Sequence, residues 1–419
     1  MPEPQSTAFF LILIVVFGGL MWWLVVAKQT VFRILAACLA FIPAMTFGVA
    51  AVNKYYDYYQ NWNAAVSDLT GQSAQAAQLP STDAGAGVKF DKLLGNSVDT
   101  AVAATDGITV RLSVPGQASH ITRTVYVYLP PQYFQRSFRD YRFPAIELLH
   151  GFPGTPLDWV TVVGVTTTLQ DLISSGLAKP VVLVMPDANG GRAVSLQCLN
   201  QFHGPQDATY LAQDLPDYIA RVLRVQAPGL AWGIAGYSEG GFCAANLGLK
   251  YGGQFGFSGV LSGYFAPLDN QFGHPPKLVD PFGGNAKLRR ANTPDNLVDS
   301  LPGGTRIAQF WLGAGSGDRA DLRNAQFFQQ LLQIRQRQVT LKVVPGGGHT
   351  MSTWRALIPP VLEWMTPQLS REVTVEQTQR ARAAEKAAAA KRAKAAAAKR
   401  ARAAAAKRAK AAARPSPTA

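Results

Sequence analysis

Two uninterrupted apolar runs open the chain, and residue-by-residue alternation begins only well after them. Residues 8–27 (AFFLILIVVFGGLMWWLVVA) hold twenty positions without a charge, and residues 34–52 (ILAACLAFIPAMTFGVAAV) hold nineteen more. Each is close to the length of roughly 20 residues that a helix needs to cross a bilayer. A signal peptide would begin with basic residues, whereas the first seven positions here contain Glu3 and no Lys or Arg. Trp22 and Trp23 near the end of the first run are placed as interface anchors. Tyr55, Tyr56, Tyr58, Tyr59 and Trp62 are placed likewise after the second. Residues 1–60 therefore read as a transmembrane hairpin. Lys28 and Arg33 sit in the link between the runs, and Lys54 alone follows the second. The positive-inside rule then places the link in the cytoplasm and the rest of the chain outside. The opposite topology, with a cytoplasmic domain, is the alternative.

Residues 61–104 read as a linker, because 71–88 (GQSAQAAQLPSTDAGAGV) are small and polar. From about Gly107 the pattern changes. Residues 121–130 (ITRTVYVYLP) alternate as a strand should. Residues 144–151 (PAIELLHG) and 180–187 (PVVLVMPD) are almost wholly apolar, as parallel strands buried on both faces are. Further strands are expected over 229–235, 256–263, 306–315 and 339–348. Helical patterns cover 209–223, 242–251, 321–336 and 351–365. Strands alternating with helices predict an α/β domain over 105–368 with a mostly parallel central sheet.

Charge divides the chain again. The net charge is +14, but residues 380–419 carry 13 Lys/Arg and one acid, Glu385, leaving about +2 for everything before them. The tail, 369–419, contains three eight-residue repeats, AAAAKRAK, AAAAKRAR and AAAAKRAK. Alanine favours helix, yet eight residues at about 100° each rotate the basic positions by roughly 80° per repeat. The cations then surround the helix and form no single face, so the tail reads as a free cationic arm. Its expected partner through residues 380–414 is a polyanion, namely anionic lipid or an envelope polymer. Nucleic acid is not the expected partner, and oligomeric state is not legible. Cys38 falls in the second apolar run, and only Cys198 and Cys243 remain in the domain. In an exported domain these two could pair. The sequence equally allows both to be free, with Cys243 packed in a helix.

The chemistry centres on AGYSEGG, residues 235–241. A short apolar strand precedes it and an Ala/Leu-rich helix follows, the setting of a Gly-x-Ser-x-Gly nucleophile elbow around Ser238. A serine hydroxyl needs a base to take its proton and a third group to orient that base. Downstream of Ser238 stand only His274 and His349. His349, in VVPGGGHTMSTW, follows the last apolar strand and is the candidate base. His274 lies in an irregular stretch and reads as a surface or cleft residue. For the acid, LGAGSGDRAD offers Asp318 just beyond a strand, preferred to Asp321, which reads as the cap of the next helix. Oxyanion donors are expected from the backbone N–H of Glu239 and, in the loop of LLHGFPGTPLDW, of Phe152. His150 reads as a residue that shapes this loop.

The motifs RTVYVYLPPQY, LLHGFPG, VVLVMPDANGG, YLAQDLPDYI, AGYSEGG, LGAGSGD and VPGGGHTMSTW occur in an order that resembles a known family. It is the esterase family of the α/β-hydrolases that includes esterase D, feruloyl esterases and bacterial mycolyltransferases. The resemblance spans about residues 105–366. It implies an α/β-hydrolase fold, no metal and no cofactor. It also implies Ser238 as nucleophile, Asp318 as acid, His349 as base and an oxyanion donor at Phe152. The anchored, Ala/Arg-rich architecture resembles actinobacterial members. The hairpin and tail are departures from the secreted mycolyltransferases, so their substrate is not carried over.

The expected function is a membrane-anchored, outward-facing serine esterase or acyltransferase. It would act on ester-linked acyl groups of envelope lipids or glycolipids through an acyl-enzyme. The alternative is a catalytically silent hydrolase fold that binds polyanions through its tail.

Overall fold

A computed structural model describes residues 1–70, 77–78, 100–191, 195–268 and 280–375. By internal contacts the chain divides into residues 1–370 and 371–419. Of the second unit only 371–375 are described, and they are helical. The basic repeats, residues 71–76 and 79–99 of the expected linker, and His274 lie outside the described residues.

The sheet contains β1 (Ala77–Gln78), β2 (Ile108–Pro115), β3 (Thr122–Leu129), β4 (Ala145–Leu149), β5 (Val182–Pro186), β6 (Gly229–Tyr237), β7 (Phe255–Leu261), β8 (Gln309–Gly315) and β9 (Val339–Val344). Their order is β1-β2-β3-β5-β4-β6-β7-β8-β9. β2 pairs antiparallel with β3, and β3 antiparallel with β5, while β5, β4, β6, β7, β8 and β9 run parallel. The apolar runs of β4, β5 and β7 are buried at every position, because both faces of a parallel sheet are covered. One face packs Ala145, Leu149, Val184 and Trp232, and the other packs Ile146, Leu148, Leu183 and Met185. β2 was not among the expected strands. Its buried Val110, Leu112 and Val114 alternate with exposed Arg111 and Ser113, a half-covered pattern near the sheet's edge.

From β4 the chain passes to β5 on one side and then to β6 on the other, so strand order reverses beside β4. In open α/β sheets such a reversal leaves a crevice at the carboxyl ends of the strands. The helix beginning at Met351 closes one face of this region. A Cβ at Gly233 would lie 2.4 Å from Met365 Sδ, one at Gly259 2.8 Å from Val361, and one at Gly313 2.8 Å from Leu357. Glycines in β6, β7 and β8 thus let Leu357, Val361 and Met365, spaced one helical turn apart, approach the strands.

The two opening apolar runs are helices, Thr7–Val26 and Thr30–Tyr56, with mean hydropathy 2.7 and 2.2. They pack together, with Phe10 edge-on to Phe47 at 5.1 Å. The buried positions of the second helix are Ala36, Ala40, Pro43 and Ala50, small side chains that permit close approach. Outward-facing side chains are large and apolar, including Val15 at 72% and Val25 at 74% exposure. Asp57 ends the second helix in the left-handed conformation, with φ 51° and ψ 44°. The following segment then turns onto the α/β domain. Arg355 Nη1 donates to Asp57 Oδ2 at 2.9 Å, and its Nη2 donates to the carbonyls of Asp57 (3.1 Å) and Tyr58 (2.9 Å).

Candidate active site

β6 ends at Tyr237 and the helix Glu239–Lys250 begins at once, leaving Ser238 as the single residue of the turn. Its backbone is at φ 56° and ψ −120°, a positive-φ conformation costly for a side-chain-bearing residue. The flanking glycines make this turn possible. A Cβ at Gly236 would lie 2.1 Å from the Gly240 carbonyl oxygen, and one at Gly240 2.0 Å from that of Leu149. Neither position accepts a side chain.

Opposite the elbow, the loop after β9 brings His349 Nε2 to 2.9 Å from Ser238 Oγ. The other ring nitrogen, Nδ1, lies 2.6 Å from Asp321 Oδ2 and 3.3 Å from Asp318 Oδ2. A carboxylate only accepts hydrogen bonds, so Nδ1 carries the proton and Nε2 presents its lone pair to the serine hydroxyl. Both aspartates reach His349, with Asp321 the nearer of the two. Asp318 is the N-cap of the helix Arg319–Ile334, and its Oδ1 accepts from the Asp321 N–H at 3.1 Å. Asp321, in the first turn, makes the hydrogen bond to His349. The reason is local: a cap side chain folds back onto the third N–H of its helix, so its carboxylate is partly committed.

Electrostatics follow from this geometry. Burial pulls the His349 pKa down, but the Asp321 and Asp318 carboxylates together outweigh it and the group sits above the ordinary histidine value. Burial raises the Asp321 carboxyl, and neighbouring Asp318 adds to the rise. Burial acts the same way on Asp318, but hydrogen bonds from Asp321 and Ala320 and the charge of His349 together outweigh it and hold that carboxyl below the usual range. Asp318, Asp321 and His349 also form the one group among the described residues with metal-ligand spacing. His349 already faces Ser238 through its second nitrogen.

The loop after β4 forms the other wall. A Cβ at Gly151 would lie 3.2 Å from Ser238 Cβ, so this loop runs directly against the elbow. Phe152 is the next residue, joined to Pro153 by a cis peptide bond. His150 is buried; its Nδ1 donates to the Gly151 carbonyl at 2.8 Å and its Nε2 accepts from the Ala188 N–H at 3.1 Å. Both nitrogens are committed to backbone, which makes it a shaping residue. Glu239 is the first residue of the elbow helix, where backbone N–H groups lack intrahelical partners. Its carboxylate turns away, accepting from the Ser195 hydroxyl and from the Gln197 N–H. Cys198 and Cys243 are joined by a disulfide, with Cα atoms 5.6 Å apart, tying this 195–199 stretch to the elbow helix. Cys38 is free.

Residues 117–365 match the protein family described as "Putative esterase". The chain belongs to this esterase family. It is a carboxylic-ester hydrolase of the α/β-hydrolase class. Among relatives, an uncharacterised protein of Corynebacterium glutamicum is 24% identical over 338 residues, covering 80% of this chain and 76% of its own. Esterase Rv1288 of Mycobacterium tuberculosis is 36% identical over 154 residues, 36% of this chain, and the match spans only 30% of that protein. Two solved structures share the fold. A ferulic acid esterase has a TM-score of 0.55 at 21% identity, covering 63% of this chain and 99% of its own. An S-formylglutathione hydrolase from Agrobacterium tumefaciens scores 0.52 at 18% identity, covering 63% and 96%. The esterase match encloses Ser238, Asp318, Asp321 and His349, and stops short of the two apolar helices.

Proposed function

We propose that this esterase works through Ser238 as nucleophile and His349 as general base, with Asp321 orienting the imidazole and Asp318 supporting it. The observation that carries the reading is the 2.9 Å approach of His349 Nε2 to a serine hydroxyl on a positive-φ elbow. The Ser238 Oγ–H proton passes to Nε2 as Oγ bonds to the ester carbonyl carbon. The carbonyl electron pair moves onto its oxygen, which faces the N–H groups of Phe152 and Glu239. Collapse breaks the carbon–oxygen ester bond, and His349 returns the proton to the leaving alcohol. Water, or a second alcohol, then repeats the sequence in reverse and releases the acyl group. The hydrogen-bonded aspartate stabilises the imidazolium that forms between these steps.

Residues 1–60 serve as a membrane anchor in this reading, because two adjacent helices turn large apolar side chains outward along their length. A membrane-bound esterase meets esters in or near the bilayer, so its substrates are envelope lipids or glycolipids. The cationic residues 380–414 would hold anionic lipid or envelope polymer.

The test uses the full chain in detergent micelles with short and medium p-nitrophenyl esters. Ser238→Ala is expected to lose about 10⁴-fold or more of kcat while keeping its fold. A fluorophosphonate is expected to label Ser238 in the wild type only. Wild-type activity that survives Ser238→Ala would overturn the assignment.

A further inference from the structure

Ser238 holds a positive-φ backbone, and the residue after it must carry the chain straight into a helix. Strain of this kind persists only where the surroundings over-determine it. The glycines at 236 and 240 give the turn room but cannot grip it. The grip comes from Glu239, the first residue of the elbow helix. It is 3% exposed, and its carboxylate accepts from the Ser195 hydroxyl and, at 3.3 Å, from the Gln197 N–H.

The stretch that receives this carboxylate is itself fixed from several sides. The Leu196 N–H donates to Asn189 Oδ1 at 3.0 Å. Cys198 is bridged to Cys243, one turn beyond Glu239 on the elbow helix. The Gln197 side chain holds both backbone groups of Leu268: the Leu268 N–H donates to its Oε1 at 2.9 Å, and its Nε2 donates to the Leu268 carbonyl at 3.0 Å. The Tyr264 hydroxyl donates to the same Oε1 at 3.3 Å, and the Tyr264 ring stacks on Phe242 of the elbow helix at 4.9 Å. Gln197 and Cys198 keep φ values of 51° and 50°, further strain that these contacts hold in place. The loops after β5, β6 and β7 thus meet at Glu239 and Gln197.

Resting on the serine-esterase reading above, we propose that the Glu239 side chain is a positioning residue for the oxyanion site. Held by Ser195 and Gln197, it pins the residue whose own backbone N–H faces the oxyanion. The disulfide fixes the helix at Cys243 and Glu239 fixes its start, so the turn between them is bracketed. A buried carboxylate deprived of its donors recovers by shifting toward others or taking a proton, and the Glu239 backbone turns with a shift. A displaced oxyanion donor costs kcat, because it acts on charge that develops only in the transition state. A carboxylate serving only the helix N-terminus would need its charge and not these two partners.

The experiment measures p-nitrophenyl butyrate hydrolysis by the full chain in detergent micelles, a soluble ester that reports chemistry apart from access to lipid. Glu239→Ala is expected to lower kcat about thirtyfold with KM within about twofold. Glu239→Gln is expected to keep kcat within about threefold of the wild type. Its amide oxygen still accepts from the Gln197 N–H, and its NH2 donates to the Ser195 hydroxyl, which can accept. Ser195→Ala, which tests the contact from the other side should Glu239→Ala not fold, is expected to lower kcat about fivefold. In a Glu239→Ala background it is expected to add less than about twofold, because the two changes remove the same contact. An active wild type with an equally active Glu239→Ala overturns the positioning role and leaves the serine mechanism standing. Glu239→Gln as impaired as Glu239→Ala does the same, since the charge would then be the working part. So does Ser195→Ala if it costs as much in the Glu239→Ala background as it does alone. A folded wild type with neither hydrolysis nor fluorophosphonate labelling at Ser238 overturns the serine reading and takes this inference with it.

Discussion

At His349 two carboxylates share one ring nitrogen, and their unequal distances divide the work. Asp321 at 2.6 Å makes the hydrogen bond, while Asp318 at 3.3 Å contributes charge and spends one oxygen on the helix N-terminus. Asp321→Asn is expected to lower kcat by about 10²–10³-fold, less than the roughly 10⁴ lost where a lone aspartate orients the base. Asp318→Asn is expected to cost about tenfold or less, because Asn caps a helix as well as Asp and only the charge disappears. The pH profile distinguishes the two. His349 must be neutral to accept the Ser238 proton, so activity rises with pH through a histidine pKa that lies above its ordinary value. Asp321 is the strongest partner holding it up, so Asp321→Asn should move the acidic limb to lower pH. A limb that stays in place for Asp321→Asn and moves for Asp318→Asn would make Asp318 the orienting acid. Sequence alone places both on one turn of GDRAD. Which of them faces the histidine depends on where the helix starts, and a cap is decided by backbone angles that residue types do not show.

Elements differ in how openly the sequence declares them, and the reason is burial. β4, β5 and β7 are apolar at nearly every position because both faces are covered, and each overlaps the span expected for it. β2 carries Thr109, Arg111 and Ser113 among its apolar residues and lies next to the edge, so its sequence does not announce a strand. The serine elbow was legible because glycine is required where Gly240 meets the Leu149 carbonyl. The Arg355–Asp57 pair was not, since it joins residues 298 positions apart and no local pattern records it. The 195–199 stretch belongs to this less legible class. It has little regular structure and is held beside the elbow helix by the Cys198–Cys243 bridge and by the Glu239 carboxylate, which accepts from the Ser195 hydroxyl and the Gln197 N–H. Closing a loop across a sequence separation of 45 is worth about 4 kcal/mol in the chain-entropy account of disulfides. Cys198→Ser with Cys243→Ser is therefore expected to lower the melting temperature by roughly 10 °C in a domain of this size. An unchanged melting temperature by calorimetry would show that the bridge does not stabilise the fold.

At the scale of the whole molecule, the two apolar helices and the α/β domain are tied together through Arg355. Arg355 joins the exit of the second helix to the helix that follows His349, so the carboxyl-end crevice of the sheet sits close to where the chain leaves the hairpin. If the two helices anchor the chain as proposed, the esterase would work near the bilayer on whichever side the domain occupies. Two features favour the outer side. Lys28 and Arg33 flank the link between the helices, and basic residues beside a span favour the cytoplasm. The Cys198–Cys243 bridge needs an oxidising compartment to persist. With the helices spanning a membrane as proposed, both features predict the link inside and the domain outside. Single cysteines introduced into a chain lacking Cys38 test this directly: Gln29→Cys in the link and Ser175→Cys on the exposed end of the helix Val165–Ser174. A membrane-impermeant maleimide added to intact cells is expected to label the Ser175→Cys chain at once, and the Gln29→Cys chain only after permeabilisation. The reverse pattern would place the domain in the cytoplasm. The bridge would then face a reducing environment, and the esters within reach would be those of the inner leaflet.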